Sequence, residues 1–155
     1  MMDSDNTYST LSNESSGTIK LTCIIITAFK PDRKLIDLVN ELHQTHFCSI
    51  IIIADGSGEV YTPNFKQAAR RECVILRHAI NRGKGRALKT GLNEAINCGY
   101  ADLGVITADA DGQHNSSDIL KIADAMKRRP ESLVLGTRHF TVQVPWKNRI
   151  GNTIT

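Results

Sequence analysis

The chain has 155 residues, a formal net charge of +3 and 41% hydrophobic residues, a composition that suits one globular domain with a buried core. The small net charge and the lack of a dense Lys/Arg block argue against nucleic-acid binding. No apolar run approaches the ~18 residues that a bilayer span requires. None of the 4 cysteines forms a C-x-x-C pair, which disfavours a zinc site.

The chain begins with a polar segment, residues 1–19, that is rich in Ser, Thr and Asn. It has neither the basic start nor the apolar stretch of a secretory signal. We therefore predict a disordered polar tail, followed by one domain over residues 20–155. We expect the chain itself to be soluble and cytoplasmic.

Alternating strands and helices are predicted along the rest of the chain. Apolar runs rich in Ile, Val and Leu predict strands at Ile19–Ala28, Ser49–Ala54, Cys73–His78, Leu103–Ala108 and Ser132–Gly136. Amphipathic patterns predict helices at Asp32–Thr45, Asn64–Arg71, Gly85–Asn97 and Ser117–Arg128, the last capped by Ser116 or Ser117. In the third helix, Leu88, Leu92, Ala95 and Ile96 are expected on one face. This alternation predicts an α/β fold with a doubly wound, mostly parallel sheet.

The motifs that carry chemistry all follow predicted strands. In a parallel sheet, ligands bind beyond the carboxyl ends of the strands. The motifs are Thr27–Pro31, Asp55–Glu59, Asn81–Gly85, Asp109–His114 and Gly136–Arg138. We therefore expect them to meet at one edge of the sheet.

The most informative motif is Asp109-Ala110-Asp111-Gly112-Gln113-His114, at the end of the fourth predicted strand. Side chains at i and i+2 of an extended segment point to the same side, so Asp109 and Asp111 are expected to project together. Paired carboxylates form a hard oxygen site, which suits Mg²⁺ or Mn²⁺ carrying a diphosphate. A carboxylate pair by itself also occurs on solvated loops, and His114 is either a phosphate or metal contact or a solvated side chain.

The other motifs are compatible with phosphate binding and with simpler roles. Glycines in Asn81-Arg82-Gly83-Lys84-Gly85 allow backbone N–H groups to approach an anion at a helix start, and Lys84 adds a charge, although a tight turn is an equal alternative. Asp55 is either an acceptor for a base or ribose or part of a turn. Arg138 is either a forked diphosphate contact or a surface arginine.

Taken in order, these motifs resemble glycosyltransferase family 2, and within it the polyprenyl-phosphate branch of the dolichol-phosphate mannosyltransferase type. The resemblance rests on the following segments and covers about residues 20–155. They are Thr27-Ala28-Phe29-Lys30-Pro31, Ala54-Asp55-Gly56-Ser57, Asn81-Arg82-Gly83-Lys84-Gly85, Asp109 to His114, and Leu135-Gly136-Thr137-Arg138.

The resemblance implies a GT-A fold and an inverting transfer from a nucleotide-diphosphate sugar to an acceptor, with a polyprenyl phosphate as the expected acceptor in glycolipid or cell-envelope synthesis. It implies that Ala28, Phe29, Lys30 and Asp55 hold the base and ribose. It also implies that Asp109, Asp111 and Gln113 bind Mg²⁺ or Mn²⁺ as a D-x-D motif, with Lys84 and Arg138 near the phosphates. A lipid-phosphate acceptor implies work at a membrane surface, and we also consider a homo-oligomer.

Two departures from the family pattern keep alternatives open. Ala54 stands where the family usually has an acidic or amide residue, and the chain stops at Thr155, before the acceptor side of a family domain is complete. We therefore expect these residues alone to be inactive in transfer. The alternatives are a non-catalytic nucleotide-sugar-binding remnant or regulatory module and, ranked lower, a nucleotidyltransferase, whose Gly-rich loop after the first strand is replaced here by Phe29-Lys30-Pro31.

Overall fold

The computed structural model describes residues 22–45, 49–69 and 73–136. Four strands form one parallel sheet, with β1 at Cys23–Ala28, β2 at Ser49–Asp55, β3 at Val74–His78 and β4 at Val105–Asp109. The strand order is β3-β2-β1-β4. This arrangement confirms the predicted α/β fold with a parallel sheet. The predicted tail and the segment that contains Arg138 lie outside the described residues.

Helices cover both faces of the sheet. Alternate residues of the central strands point to opposite faces and are buried on both, so each face needs a covering layer of helices. The helices are α1 at Arg33–Gln44, α2 at Thr62–Ala69, α3 at Lys84–Asn97 and α4 at Ser116–Arg128. On one face, Ile24 and Ile26 pack in a cluster with α1, α2 and α4. On the other face, Ile25 and Ile53 pack in a cluster with α3.

The register aligns the strand ends that carry the site. Thr27 of β1 pairs with Asp109 of β4, and Asp55 of β2 pairs with His78 of β3. All four strands run in one direction, so these residues lie along the same edge of the sheet. The strand order changes direction beside β1, and a crevice is expected at such a switch point.

Two predictions on element positions are wrong. The predicted fifth strand, Ser132–Gly136, is not a strand: Leu133 and Leu135 are 86% and 74% exposed, and no neighbouring strand among residues 22–136 pairs with this segment. The predicted fourth strand begins later, at Val105, because Ala101–Leu103 form a 3₁₀ turn.

Two predictions about helices are also corrected. Asn115, rather than Ser116 or Ser117, caps α4, and its side-chain oxygen accepts a hydrogen bond from the backbone N–H of Asp118. On α3, Leu92 and Ile96 are exposed, and the residues buried against the sheet are the small Ala87, Gly91 and Ala95. At Gly91 the helix lies so close to the strands that an added Cβ atom would lie 2.6 Å from Ile25 Cγ2.

Candidate functional site

A cavity of about 420 Å³ opens at the carboxyl ends of the strands, next to the switch point beside β1. Its walls come from the ends of β1, β2 and β4 and from the starts of α1 and α3. The lining residues are Thr27, Ala28, Phe29, Lys30, Pro31, Asp32, Lys34, Asp55, Asn81, Gly83, Lys84, Ala87, Asp109, Ala110 and Asp111. Segments that are distant in sequence therefore converge on one space.

This cavity brings together most of the residues predicted for the site. They are Ala28, Phe29, Lys30, Asp55, Lys84, Asp109 and Asp111. Gln113 is exposed on the turn after Asp111, and its backbone N–H donates to the Asp111 carboxylate at 2.8 Å. Arg138 lies outside the described residues.

Asp109, the last residue of β4, is held between a hydroxyl and an ammonium group. Thr27 Oγ1 donates to one carboxylate oxygen at 3.0 Å, and Lys84 Nζ donates to the other at 2.6 Å. Burial alone would raise the pKa of Asp109, but the hydrogen bonds from Lys84 and Thr27 and the charge of Lys84 hold this pKa below 3.8. The carboxylate is therefore ionised at neutral pH, as a cation ligand must be.

The turn after β4 holds Asp111 in place. Because β4 ends at Asp109, Asp111 belongs to the turn, and both residues line the cavity. Lys34, in the first turn of α1, donates from Nζ to the backbone oxygen of Asp111 at 3.2 Å. His114 Nδ1 accepts a hydrogen bond from the backbone N–H of Asp109 at 3.0 Å. This imidazole nitrogen therefore stabilises the turn.

The loop before α3 presents a helix N-terminus to the cavity. Gly83 has a φ of 84°, a left-handed conformation that glycine adopts without strain, and it is the N-cap of α3. The Asn81 side chain accepts the backbone N–H of Gly83 at 2.8 Å and so stabilises the turn. Since unpaired N–H groups and the helix dipole favour negative charge, this end of α3 is suited to a phosphate.

The segment after β1 is held in a strained conformation beside the same cavity. Lys30 has a φ of 50°, and it is the one non-glycine residue with a positive φ in the described part of the chain. Its backbone N–H donates to Ser57 Oγ at 2.9 Å, which ties the segment to the end of β2. Phe29 is 49% exposed at the edge of the cavity, with Lys30 Nζ 5.1 Å from its ring centre. Strain of this kind accumulates at functional sites.

Asp55 connects the end of β2 to the loop before α3. Its Oδ1 accepts the backbone N–H of Arg82 at 2.9 Å and contacts His78 Nδ1 at 2.6 Å. Burial alone would raise the pKa of Asp55, but the hydrogen bonds from the Arg82 backbone and from His78 hold this pKa below its usual range. A buried carboxylate thus remains ionised and organises the loop that contains Lys84.

Sequence reasoning missed Lys34 and His78. Lys34 stands in an ordinary amphipathic helix, and its contact with Asp111 joins residues 77 positions apart. His78 ends an apolar strand, so its pattern indicated burial and nothing more. The sheet register places Asp55 opposite His78, and only this tertiary placement indicates a role for His78.

The model of the family described as Glycosyl transferase family 2 matches residues 23–153. The chain belongs to glycosyltransferase family 2. Its four-stranded parallel sheet with helices on both faces is an α/β, GT-A-like fold, which is consistent with this family. The cavity lies within the part of the chain that the family model matches.

Two curated relatives are similar to this chain over most of its length. One is named UDP-N-acetylglucosamine--dolichyl-phosphate N-acetylglucosaminyltransferase, from Methanococcus voltae, with 31% identity over 86% of this chain and 59% of the relative. The other is an uncharacterized protein of Methanocaldococcus jannaschii, with 30% identity over 83% of this chain and 53% of the relative. This chain thus spans little more than half of either relative. No solved structure matches it with statistical significance.

Among the described residues, no helix is long and apolar enough to cross a membrane.

Proposed function

We propose that this family 2 glycosyltransferase transfers a hexose, with inversion, from a nucleoside-diphosphate sugar to a polyprenyl phosphate. The observation that carries the proposal is the convergence in one cavity of two carboxylates, Asp109 and Asp111, with Lys84 and the N-terminus of α3. The name of the Methanococcus voltae relative supports a lipid-phosphate acceptor.

We assign the nucleoside to the wall formed by Ala28, Phe29, Lys30 and Asp55. The exposed ring of Phe29 offers an apolar surface to a base, and the Lys30 ammonium lies 5.1 Å from the centre of that ring. Ala54 is buried, and its methyl side chain has no polar group to offer a base. Asp55 is therefore the acidic residue of this wall.

The diphosphate is assigned to the opposite side of the cavity. Lys84 is a cation on a flexible stem, and its side chain is 62% exposed, so its ammonium group can move from Asp109 to a phosphate oxygen. The first N–H groups of α3 supply further donors. Arg138 is proposed as a forked contact to the same diphosphate.

The carboxylates fit a divalent cation that keeps part of its hydration shell. Among the described residues, no group of three or more acidic, His or Cys side chains is arranged to hold a metal ion, so Asp109 and Asp111 would share the cation with other ligands. Mg²⁺ binds in this way, through one or two carboxylates with waters and substrate phosphates completing the octahedron. Asp109 and Asp111, with Gln113 beside them, would hold Mg²⁺ or Mn²⁺, which when bound neutralises charge on the diphosphate.

The proposed reaction needs no general base. A phosphate oxygen of the lipid attacks the anomeric carbon from the face opposite the diphosphate, the bond from that carbon to the diphosphate breaks, and the nucleoside diphosphate departs. No proton is transferred, because the lipid phosphate is already an anion. Lys84, the start of α3 and Arg138 stabilise the charge on the leaving group, a contribution of several kcal/mol in comparable sites.

Family membership favours this reaction over nucleotidyl transfer, and it favours an enzyme over a binding remnant. We further propose that the protein works at the surface of a membrane, on its cytoplasmic side. A second groove supports this location, because Arg77, Arg82, Arg86 and Lys89 line it together with a single acidic residue, Glu94. A basic surface of this kind is attracted to anionic lipid headgroups.

The proposal is tested with membranes from cells that produce the protein from its complete reading frame. Labelled UDP-sugars and GDP-sugars are supplied with Mn²⁺ and either a polyprenyl phosphate or the corresponding polyprenol. We expect a lipid-linked sugar from the phosphate alone, and none from the Asp111→Asn variant. Equal labelling of the polyprenol, or full labelling by Asp111→Asn, would show that the assigned acceptor or site is wrong.

A further inference from the structure

His78, the last residue of β3, links the cavity to the body of α3. Its side chain is 9% exposed and lies between two partners on different elements. Nδ1 is 2.6 Å from Asp55 Oδ1, and Nε2 is 3.0 Å from Thr90 Oγ1. Both ring nitrogens are therefore engaged by the protein.

The chemistry of the partners assigns the protons on this ring. The ionised Asp55 carboxylate only accepts hydrogen bonds, so His78 Nδ1 carries a proton and donates it whatever the charge of the ring. In the neutral ring, Nε2 then accepts from the hydroxyl of Thr90. One tautomer and one ring orientation are fixed.

The oxygen that His78 contacts also organises the proposed phosphate loop. Asp55 Oδ1 accepts the backbone N–H of Arg82, which stands directly before Gly83 and Lys84. The last two residues line the cavity, as Asp55 does. A change in the rotamer of Asp55 would release this loop, and His78 is the side chain that restrains that rotamer.

We propose that His78 is a positioning residue for donor binding. It holds Asp55, and through Asp55 the loop Asn81–Lys84, in the geometry that receives the nucleoside diphosphate. The inference rests on the proposed function of the cavity. His78 itself does not touch the donor, because its ring is buried and both of its nitrogens bind protein atoms.

Isosteric variants separate the two contacts of His78. An asparagine amide can occupy the place of Nδ1 and donate to Asp55, whereas a glutamine amide reaches the place of Nε2 near Thr90. His78→Leu removes both contacts, and Thr90→Val removes only the second while keeping the side-chain shape. The affinity of each variant for UDP and GDP with Mn²⁺ is measured by calorimetry on the whole chain, together with its melting temperature.

We expect His78→Asn and Thr90→Val to retain affinities within about threefold of the wild type. His78→Gln and His78→Leu should bind roughly tenfold to a hundredfold more weakly, the range for a lost hydrogen bond to a charged group. In the wild type without nucleotide, ¹⁵N NMR should show a proton on His78 Nδ1. If His78 only filled space, its proton would not be fixed on this nitrogen.

Four results would overturn the inference. If the wild type binds nucleotide and His78→Leu binds it equally, His78 does not position the site, although the proposed function stands. If His78→Asn loses as much affinity as His78→Leu, or if the NMR spectrum shows Nδ1 without a proton, the contact with Asp55 is not the cause. If the wild type binds neither nucleotide, the proposed function fails and the inference fails with it.

Discussion

At the scale of single residues, the ion pair between Lys84 and Asp109 is the contact most relevant to function. The two groups are 2.6 Å apart, and the lysine occupies a carboxylate oxygen that a divalent cation would need. Lys84 therefore has two expected roles. It neutralises Asp109 when no cation is present, and it becomes available to the diphosphate when a cation replaces it.

Replacing Lys84 by methionine separates these roles. In the absence of nucleotide, Lys84→Met should bind Mn²⁺ about twofold to fivefold more tightly than the wild type, because a competing ammonium is removed from Asp109 and exposed ion pairs contribute about 0.2–1 kcal/mol. The free Mn²⁺ concentration is followed by electron paramagnetic resonance. Lys121→Met is the matched control, because Lys121 forms an exposed ion pair with Asp118 on α4, outside the cavity lining. Weaker Mn²⁺ binding by Lys84→Met would contradict the competition.

The residue-level contacts were only partly predictable from sequence. Asp109, Asp111 and Lys84 were identifiable because they stand in short motifs directly after strands. The contacts of Lys34 and His78 were not, because each depends on a partner placed by the tertiary fold. The cap of α4 was misassigned because Asn115, Ser116 and Ser117 are all good capping residues, and only the backbone geometry selects Asn115.

At the scale of elements, α3 shows how packing overrides a hydrophobic pattern. The leucine and isoleucine pattern predicted a buried face that includes Leu92 and Ile96, yet these residues are 41% and 63% exposed. The structure buries Gly91 instead, and a Cβ atom built there would lie 2.6 Å from Ile25 Cγ2 and 2.8 Å from Ile53 Cδ1. The absence of a side chain lets α3 approach the sheet and sets the position of its N-terminus at the cavity.

Gly91→Ala should therefore destabilise the protein, even though alanine is the better helix former. We expect a loss of about 1–3 kcal/mol in the free energy of unfolding, because the added methyl group overpacks the core. Gly85→Ala, in the first turn of the same helix, is the control: its Cβ would meet nothing within 4 Å, so the change should be neutral or stabilising by up to ~1 kcal/mol. Urea unfolding measures both, and a more stable Gly91→Ala variant would contradict the close approach of α3.

The regular elements were the easiest part of the fold to predict. In the described part of the chain, strands β2 and β3 and all four helices lie within two residues of the predicted segments, because the buried strands are continuous runs of branched apolar residues. Strand β1 covers only the C-terminal part of its predicted segment, whose first residues lie outside the described part. The prediction of a fifth strand was wrong, because an apolar run suggests that a segment is buried but does not identify a strand that would pair with it. Within residues 22–136 no neighbouring strand supplies hydrogen bonds to Ser132–Gly136, so this segment is not part of the four-stranded sheet.

At the scale of the whole molecule, the parallel topology explains why the site forms. It places the ends of three strands and the starts of α1 and α3 around one cavity, next to the switch point. Membership of glycosyltransferase family 2 agrees with that placement. The metal dependence of donor binding, the donor itself and the homo-oligomer stay predictions.

Asp109 and Asp111 are proposed to form a cation-dependent nucleoside-diphosphate site. Calorimetry of UDP and GDP, each with and without Mn²⁺, tests this assignment in the wild type, Asp111→Asn and Asp124→Asn. Asparagine at position 111 retains the oxygen that accepts the Gln113 N–H, so the turn is preserved while the charge is lost. Asp124 is an exposed carboxylate of α4 outside the cavity lining and serves as the control.

We expect Mn²⁺ to tighten nucleotide binding by roughly tenfold or more in the wild type and Asp124→Asn, and by much less in Asp111→Asn. Equal nucleotide affinities with and without Mn²⁺ in the wild type, or an unchanged Mn²⁺ effect in Asp111→Asn, would contradict the assignment of this site.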